Sequence, residues 1–155
     1  MTEPGPGTGV PFSTYDVTVP AEWVDYNGHM HDASYVSALS DANEELFSAL
    51  DLSADYRAET GASFYTVEYH VHYLAECSQG DRLRASTLVI QADPKRLRLR
   101  TELVRGDGTV AATGESLYLH VDTRAGGVRP LTGARYAAVE AMRDAHAGLA
   151  ERVGS

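Results

Sequence analysis

The chain reads as a single α+β domain in which one long helix lies across an antiparallel sheet. Three observations predict this. A helical apolar period runs from about Asp32 to Leu50, and four strand-like segments follow it with only short turns between them. The length of 155 residues is enough for one buried core without covalent staples.

The elements follow in order. Tyr15-Asp16-Val17-Thr18-Val19-Pro20 is a short strand. In the helix, Tyr35, Leu39, Ala42, Leu46 and Leu50 recur at three- and four-residue spacing, joined by Val36 and Phe47. Asp41, Asn43, Glu44, Glu45 and Ser48 form its polar remainder, and Asp32 suits the N-cap. Asp51 to Gly61 reads as a loop or a short helical turn. From Ser63 to Leu74 the period changes to two, with Tyr65, Val67, Tyr69, Val71 and Tyr73 on one face and Thr66, Glu68, His70 and His72 on the other. Leu83 to Gln91 is the next strand, after the turn at Ser78-Gln79-Gly80-Asp81. Beyond Asp93-Pro94, Arg96 to Leu103 is the cleanest half-buried strand of the chain, apolar on one side and charged on the other. Gly106-Asp107-Gly108 marks a hairpin, and Val110 to Val121 is the last long strand, with Gly114 as a bulge or a point of close approach. Gly126-Gly127 ends it, and Ala134 to Leu149 is a short alanine-rich helix. Four strands joined by turns predict an antiparallel meander.

Composition narrows the function classes. A hydrophobic content of 43% and a charged content of 23% are ordinary for a globular protein. The net charge of -9 argues against nucleic acid or an anionic membrane as the main partner. The single cysteine, Cys77, excludes a disulfide within the chain and suits a reducing compartment. No apolar run is long enough to span a bilayer and no leader is legible, so a cytoplasmic location is expected. Residues 1–12, rich in glycine and proline at their start, read as a disordered tail. The folded domain is expected over 13–131, and a C-terminal helix and tail over 132–155.

The chemistry concentrates in Glu22-Trp23-Val24-Asp25-Tyr26-Asn27-Gly28-His29-Met30-His31-Asp32. A carboxylate, a glycine turn and a helix N-terminus fall within a dozen residues there. Hydrolysis needs such a set: a base or nucleophile beside backbone N–H groups that hold a developing oxyanion. A plain polar loop, with Asp25 in a turn and Asp32 as cap, fits the same spacing. His29-x-His31 and His70-x-His72 have the spacing of strand-borne metal ligands, but histidines in such strands are more often simply hydrogen-bonded. No metal and no cofactor is expected. The absence of a Gly-x-Ser-x-Gly elbow speaks against a serine nucleophile.

The element order, with Asp25-Tyr26-Asn27-Gly28-His29-Met30 ahead of the helix and Tyr35 ten residues after the aspartate, resembles the hot-dog fold thioesterases of the 4-hydroxybenzoyl-CoA thioesterase type. The likeness covers roughly Tyr15 to Leu131. Within it, Trp23 to Met30 together with Tyr65-Thr66-Val67-Glu68 and Leu119-His120-Val121-Asp122 is similar to the betainyl-CoA thioesterases of carnitine breakdown. The resemblance implies a single hot-dog domain that hydrolyses a small acyl-CoA, with a cationic acyl group among the candidates. It implies Asp25 as catalytic base or nucleophile, and the backbone N–H of Asp32 as oxyanion donor. A branch of the family has histidine where this chain has Asp32, so an assisting histidine at that position is missing.

The candidate substrate-binding set is Trp23, Tyr26, Gly28, His29, Tyr65 and Glu68. Gly28 lets the chain turn so that carboxylate and helix N-terminus face one carbonyl. Glu68, with the rings of Trp23, Tyr26 and Tyr65, has the chemistry to hold a quaternary ammonium. As a structural alternative, the glutamate belongs to an exposed strand face and the rings to the core. Arg96, Arg98 and Arg100 form either a solvated face or a contact for a CoA phosphate. Implied partners are a coenzyme A thioester and further copies of the chain, as a homodimer or homotetramer with sites between subunits. Alternatives are a thioesterase for another acyl-CoA or acyl-carrier-protein substrate, and a non-catalytic acyl-CoA-binding domain.

Overall fold

A computed structural model describes residues 9–149. In chain order it holds β1 (Asp16–Thr18), a 3-10 turn (Ala21–Trp23), α1 (Asp32–Ala49), α2 (Ala54–Thr60), β2 (Ala62–Tyr73), β3 (Arg82–Ala92), β4 (Arg96–Arg105), β5 (Val110–Asp122) and α3 (Gly133–His146). The sheet is antiparallel throughout, in the order β1-β3-β4-β5-β2. The tail expected at residues 1–12 lies outside the described residues up to residue 8. Phe12, counted in that tail, exchanges backbone hydrogen bonds with Thr87 at 2.9 and 2.7 Å, so the paired chain already begins there.

The meander expectation holds for β3, β4 and β5 and fails for β2. β2 pairs with β5 at the far edge rather than with β3. The physical cause lies in the connection from Leu74 to Asp81, which crosses the start of α1 instead of turning back. Cys77 N–H donates to the Tyr35 hydroxyl at 3.1 Å and Met30 N–H donates to the Cys77 carbonyl at 2.7 Å. These bonds pin the crossing, and burial pushes the Cys77 thiol up in pKa, away from thiolate chemistry.

The sheet curls around α1, whose buried stripe is Tyr35, Ala38, Leu39, Ala42, Leu46 and Phe47. β4 follows its sequence pattern: Leu97, Leu99, Thr101 and Leu103 are buried, while Arg98 and Arg100 meet Glu115 at 3.4 and 3.3 Å. Two apolar clusters form, one around the first half of α1 and one around its end. Between them sits Asn43, only 1% exposed although the helical pattern assigns it to the polar side. Its amide donates to Tyr118 Oη at 2.9 Å and Ser116 Oγ at 3.3 Å, and its carbonyl accepts from Thr101 Oγ1 at 2.7 Å. Thr101 in turn meets Thr87 at 3.2 Å, so one fully satisfied amide ties the helix to β3, β4 and β5.

β2 departs from its expected alternation. The register against β5 skips Val67, with Thr66 opposite Tyr118 and Glu68 opposite Leu117. This bulge inverts the pleat. Phe64 faces inward before it and Tyr69 after it, whereas Tyr65 and Glu68 lie on the outer face. Gly114 is the close-approach point: a Cβ there would come within 3.0 Å of both Leu39 Cδ1 and the Tyr69 ring. The helix and the tyrosine fill the space that glycine leaves.

Candidate active site

The loop ahead of α1 is a small hairpin. Asp25 N–H donates to the His29 carbonyl at 2.9 Å, His31 N–H to the Trp23 carbonyl at 2.8 Å, and Val24 bridges Met30. The turn closes with Gly28 N–H on the Asp25 carbonyl at 3.0 Å, and Gly28 adopts φ 82°, a region glycine enters without strain. One Asp25 carboxylate oxygen, Oδ1, accepts from Asn27 N–H at 2.8 Å, which orients the side chain. Hairpin pairing leaves the Asp25 and Asp32 backbones about 10 Å apart, a gap that a carboxylate side chain and a bound carbonyl can close.

Asp32 is not the N-cap. His31 takes that place: its Nδ1 accepts from Ala33 N–H at 3.2 Å, because the hairpin holds His31 in the extended conformation that a cap requires. Asp32 begins the helix, and its Oδ1 also accepts from Ala33 N–H, at 2.8 Å. Asp32's own N–H donates to no group among the described residues. An unpaired first-turn donor at the positive end of an 18-residue helix is the arrangement a developing oxyanion needs.

The other predicted site residues scatter. Tyr26 is 96% exposed at the tip of the turn, while Trp23 packs on the cluster around the first half of α1. His29 is bridged to Ser78 and meets Glu76 at 3.3 Å. Tyr73 Oη donates to the Asp32 carbonyl at 3.2 Å, so the C-terminal end of β2 adjoins the hairpin. Tyr65 lies eight residues back along that strand, roughly 26 Å away at strand rise. Within one chain Tyr65 and Glu68 therefore do not join Trp23 and Tyr26. Of the motif around Leu119, His120 is buried: Nε2 meets Tyr56 Oη at 2.8 Å and Nδ1 meets the Arg129 carbonyl. Facing that carbonyl, Nδ1 carries the proton, and burial holds the ring's pKa below the usual histidine value. No group of three or more His, Cys, Asp or Glu converges on a metal-sized site among the described residues.

A feature the sequence reading passed over lies at the other end of α1. A cavity of about 290 Å³ opens between α1, α2 and β2, lined by Glu44, Phe47, Arg57, Phe64 and Tyr118 among others. Phe47 stacks on Phe64 and meets the edge of Tyr118, with centroids 5.3 and 5.0 Å apart. Burial, then the neighbouring Asp41 carboxylate, pushes the Glu44 pKa up.

A long helix wrapped by a curled antiparallel sheet, with an acid-bearing hairpin at the helix N-terminus, is the hot-dog architecture of thioesterases. The chain belongs to the Thioesterase-like superfamily, whose family model matches residues 19–146. It is 36% identical to the betainyl-CoA thioesterase of Pseudomonas aeruginosa over 88% of this chain and 87% of that protein. It is 46% identical to the L-carnitine dehydrogenase/betainyl-CoA thioesterase of Agrobacterium fabrum over 74% of this chain. There it spans only 24% of the relative's length. Among solved structures, a Staphylococcus aureus protein in complex with CoA superposes with a TM-score of 0.79 at 29% identity, covering 86% of this chain and 85% of that one. No helix among the described residues is long and apolar enough to cross a membrane.

Proposed function

We infer that this protein hydrolyses small acyl-CoA thioesters, betainyl-CoA foremost, to the free acid and CoA. The observation that carries the reading is the hairpin that puts Asp25, its carboxylate oriented by Asn27 N–H, at the same end of α1 as the unpaired N–H of Asp32. The thioester oxygen accepts from that N–H, and the helix dipole stabilises the charge that builds on it. Asp25 either attacks the carbonyl carbon, forming a mixed anhydride that water then hydrolyses to the acid and free Asp25, or takes a proton from a water that attacks directly; both routes expel CoA thiolate. The substrate is suggested by the names of the relatives above.

The working unit in this reading is at least a dimer, and the cytoplasm is its place. β2 is an edge strand of 12 residues, and Tyr65, Val67 and Tyr73 are exposed along it, with Leu74 just beyond. An edge so long and apolar calls for a partner strand, and a second copy of β2 meets it antiparallel about a two-fold axis.

The test is release of free CoA from betainyl-CoA, acetyl-CoA and benzoyl-CoA by the purified protein, with Asp25→Asn as control. Turnover that disappears with Asp25→Asn supports the reading. Tight binding of all three thioesters without turnover identifies a non-catalytic acyl-CoA-binding domain instead.

A further inference from the structure

The cavity at the end of α1 lies far from the hairpin and helix N-terminus of its own chain. α1 runs antiparallel to β2: Asp32 and Tyr35 contact Tyr73, whereas Phe47 stacks on Phe64. Glu44 is twelve residues along the helix from Asp32, about 18 Å at helical rise. A small acyl group attached to a carbonyl at the Asp32 N–H does not span that distance.

Pairing of β2 with a second copy changes the neighbourhood. If the strands pair antiparallel over their full length, Tyr73 of one copy stands opposite the partner's Ala62, because the ends of a self-paired strand exchange places. Adjacent strands lie only about 5 Å apart. The hairpin and helix N-terminus of one protomer then adjoin the mouth of the partner's cavity, whose β2 wall is Ser63, Phe64 and Thr66.

The chemistry of that cavity is specific. Two aromatic rings, Phe64 and Tyr118, gather round that of Phe47, and Glu44 lies one helical turn before it. α1 brings a second acid, Asp41, near Glu44, whose pKa is raised first by burial and then by that neighbour. A quaternary ammonium offers no N–H, and it is held by aromatic faces and a diffuse negative charge. Arg57 lines the same cavity from α2. An anionic acyl group would use the arginine, whereas a cationic one uses the glutamate and the rings.

We propose that the cavity of one protomer receives the acyl group of a thioester held at Asp25 of the other, and that Glu44 with Phe47, Phe64 and Tyr118 selects a quaternary ammonium there. The proposal rests on the thioesterase reading and the β2-paired dimer.

The experiment compares betainyl-CoA with its neutral isostere 3,3-dimethylbutyryl-CoA, in which carbon replaces the nitrogen. In the homodimer, Glu44→Gln lowers the preference for the cation by roughly ten- to thirtyfold, and Arg57→Gln does not lower it. Hybrid dimers, purified through two different tags, then decide between the chains. A wild-type protomer paired with an Asp25→Asn/Glu44→Gln protomer has one live Asp25, and it faces the partner's substituted position. That hybrid shows the reduced preference. An Asp25→Asn protomer paired with a Glu44→Gln protomer keeps the full preference, since its live Asp25 faces an intact Glu44.

The reverse pattern in the two hybrids overturns the shared site while leaving the thioesterase reading standing. A Glu44→Gln homodimer with unchanged preference overturns the role of Glu44. A wild type that turns over both thioesters equally overturns the cationic substrate and this proposal with it. A wild type that hydrolyses neither substrate, nor any other thioester, overturns the thioesterase reading itself.

Discussion

At its N-terminal end α1 meets the hairpin through polar groups: the His31 cap, the Asp32 carboxylate on Ala33 N–H, and Asp25 held by Asn27 N–H. At its C-terminal end the same helix is surrounded by rings and aliphatic side chains, with Phe47 against Phe64 and Tyr118, and with Leu46 and Leu50 in the cluster behind them. The first end presents donors and a carboxylate but little apolar wall, and the second presents an apolar wall and one acid. Asn43 separates the two clusters and locks the helix in place over the sheet. A barrier is lowered by fixed dipoles, and a small apolar cation is selected by a shaped aromatic surface. One helix cannot place both at one point, and the proposed reaction assigns the two tasks to its opposite ends.

The largest expected effect that tests this contrast is at Asp25. Asp25→Asn lowers kcat by about 10²–10⁴ with little change in melting temperature, because the amide oxygen still accepts from Asn27 N–H. Steady-state kinetics and thermal unfolding check both halves of that statement. A large loss of stability would place Asp25 among the fold's supports instead.

Next comes Asn43→Ala, which leaves Thr101, Ser116 and Tyr118 without their shared partner and costs about 1–3 kcal/mol. Denaturant unfolding measures it. The same substitution alters KM more than the pH profile of kcat, since it loosens the seat of α1 without touching the carboxylate.

Acid acts on the second end more than the first. His120 and His146 are buried, and burial holds both pKa values below the usual 6.5. The unfolded chain therefore takes up these protons first. Stability from the neutral rings is complete above the unfolded value, and it is lost as pH falls from about 6.5 through the folded values. Amide exchange at pH 7.5 and 5.5 is expected to show α2, α3 and the loop at Arg129 losing protection before the hairpin does. His146 holds the β3 bulge by accepting from Val89 N–H at 2.9 Å, so α3 is included.

The smallest effect is expected at Glu68. It is exposed on the outer face of β2, and Glu68→Gln shifts the preference between betainyl-CoA and its neutral isostere by less than about twofold. A shift as large as that from Glu44→Gln would move cation recognition to the outer face and break the contrast between the ends of α1.

The parts of this molecule that rest on local period were legible in the sequence. α1 begins at Asp32 as its apolar spacing indicates, and β4 alternates as written. The partner of β2 was not legible, because pairing between distant strands leaves no mark on the period of either one. Nor was the bulge at Val67, since five alternating apolar residues describe an unbroken strand equally well. Asn43 and Glu44 both fall on the polar side of a helical projection. One is nevertheless buried and the other borders a cavity, because the sheet curls past the helix and α2 closes over its end. The glycine turn ahead of α1 was legible from its glycine and its acids, whereas its pairing into a hairpin was not. Nor was the cap of α1, because His31 and Asp32 are adjacent and both can accept from the first turn.

The position of β2 also sets an order of assembly. β3, β4 and β5 join through neighbouring hairpins, so they can form from contacts close in sequence. β2 is synthesised before all three but has to wait for β5, and their pairing closes a loop around the whole meander. Until then both of its edges are open and Tyr65, Val67 and Tyr73 are uncovered. A nascent β2 can zip onto another nascent β2 before either domain is complete. The strand proposed to join two finished protomers is thus also the one through which two unfinished chains would entangle. Yield on refolding is expected to fall with protein concentration faster than the dimer's own stability would suggest.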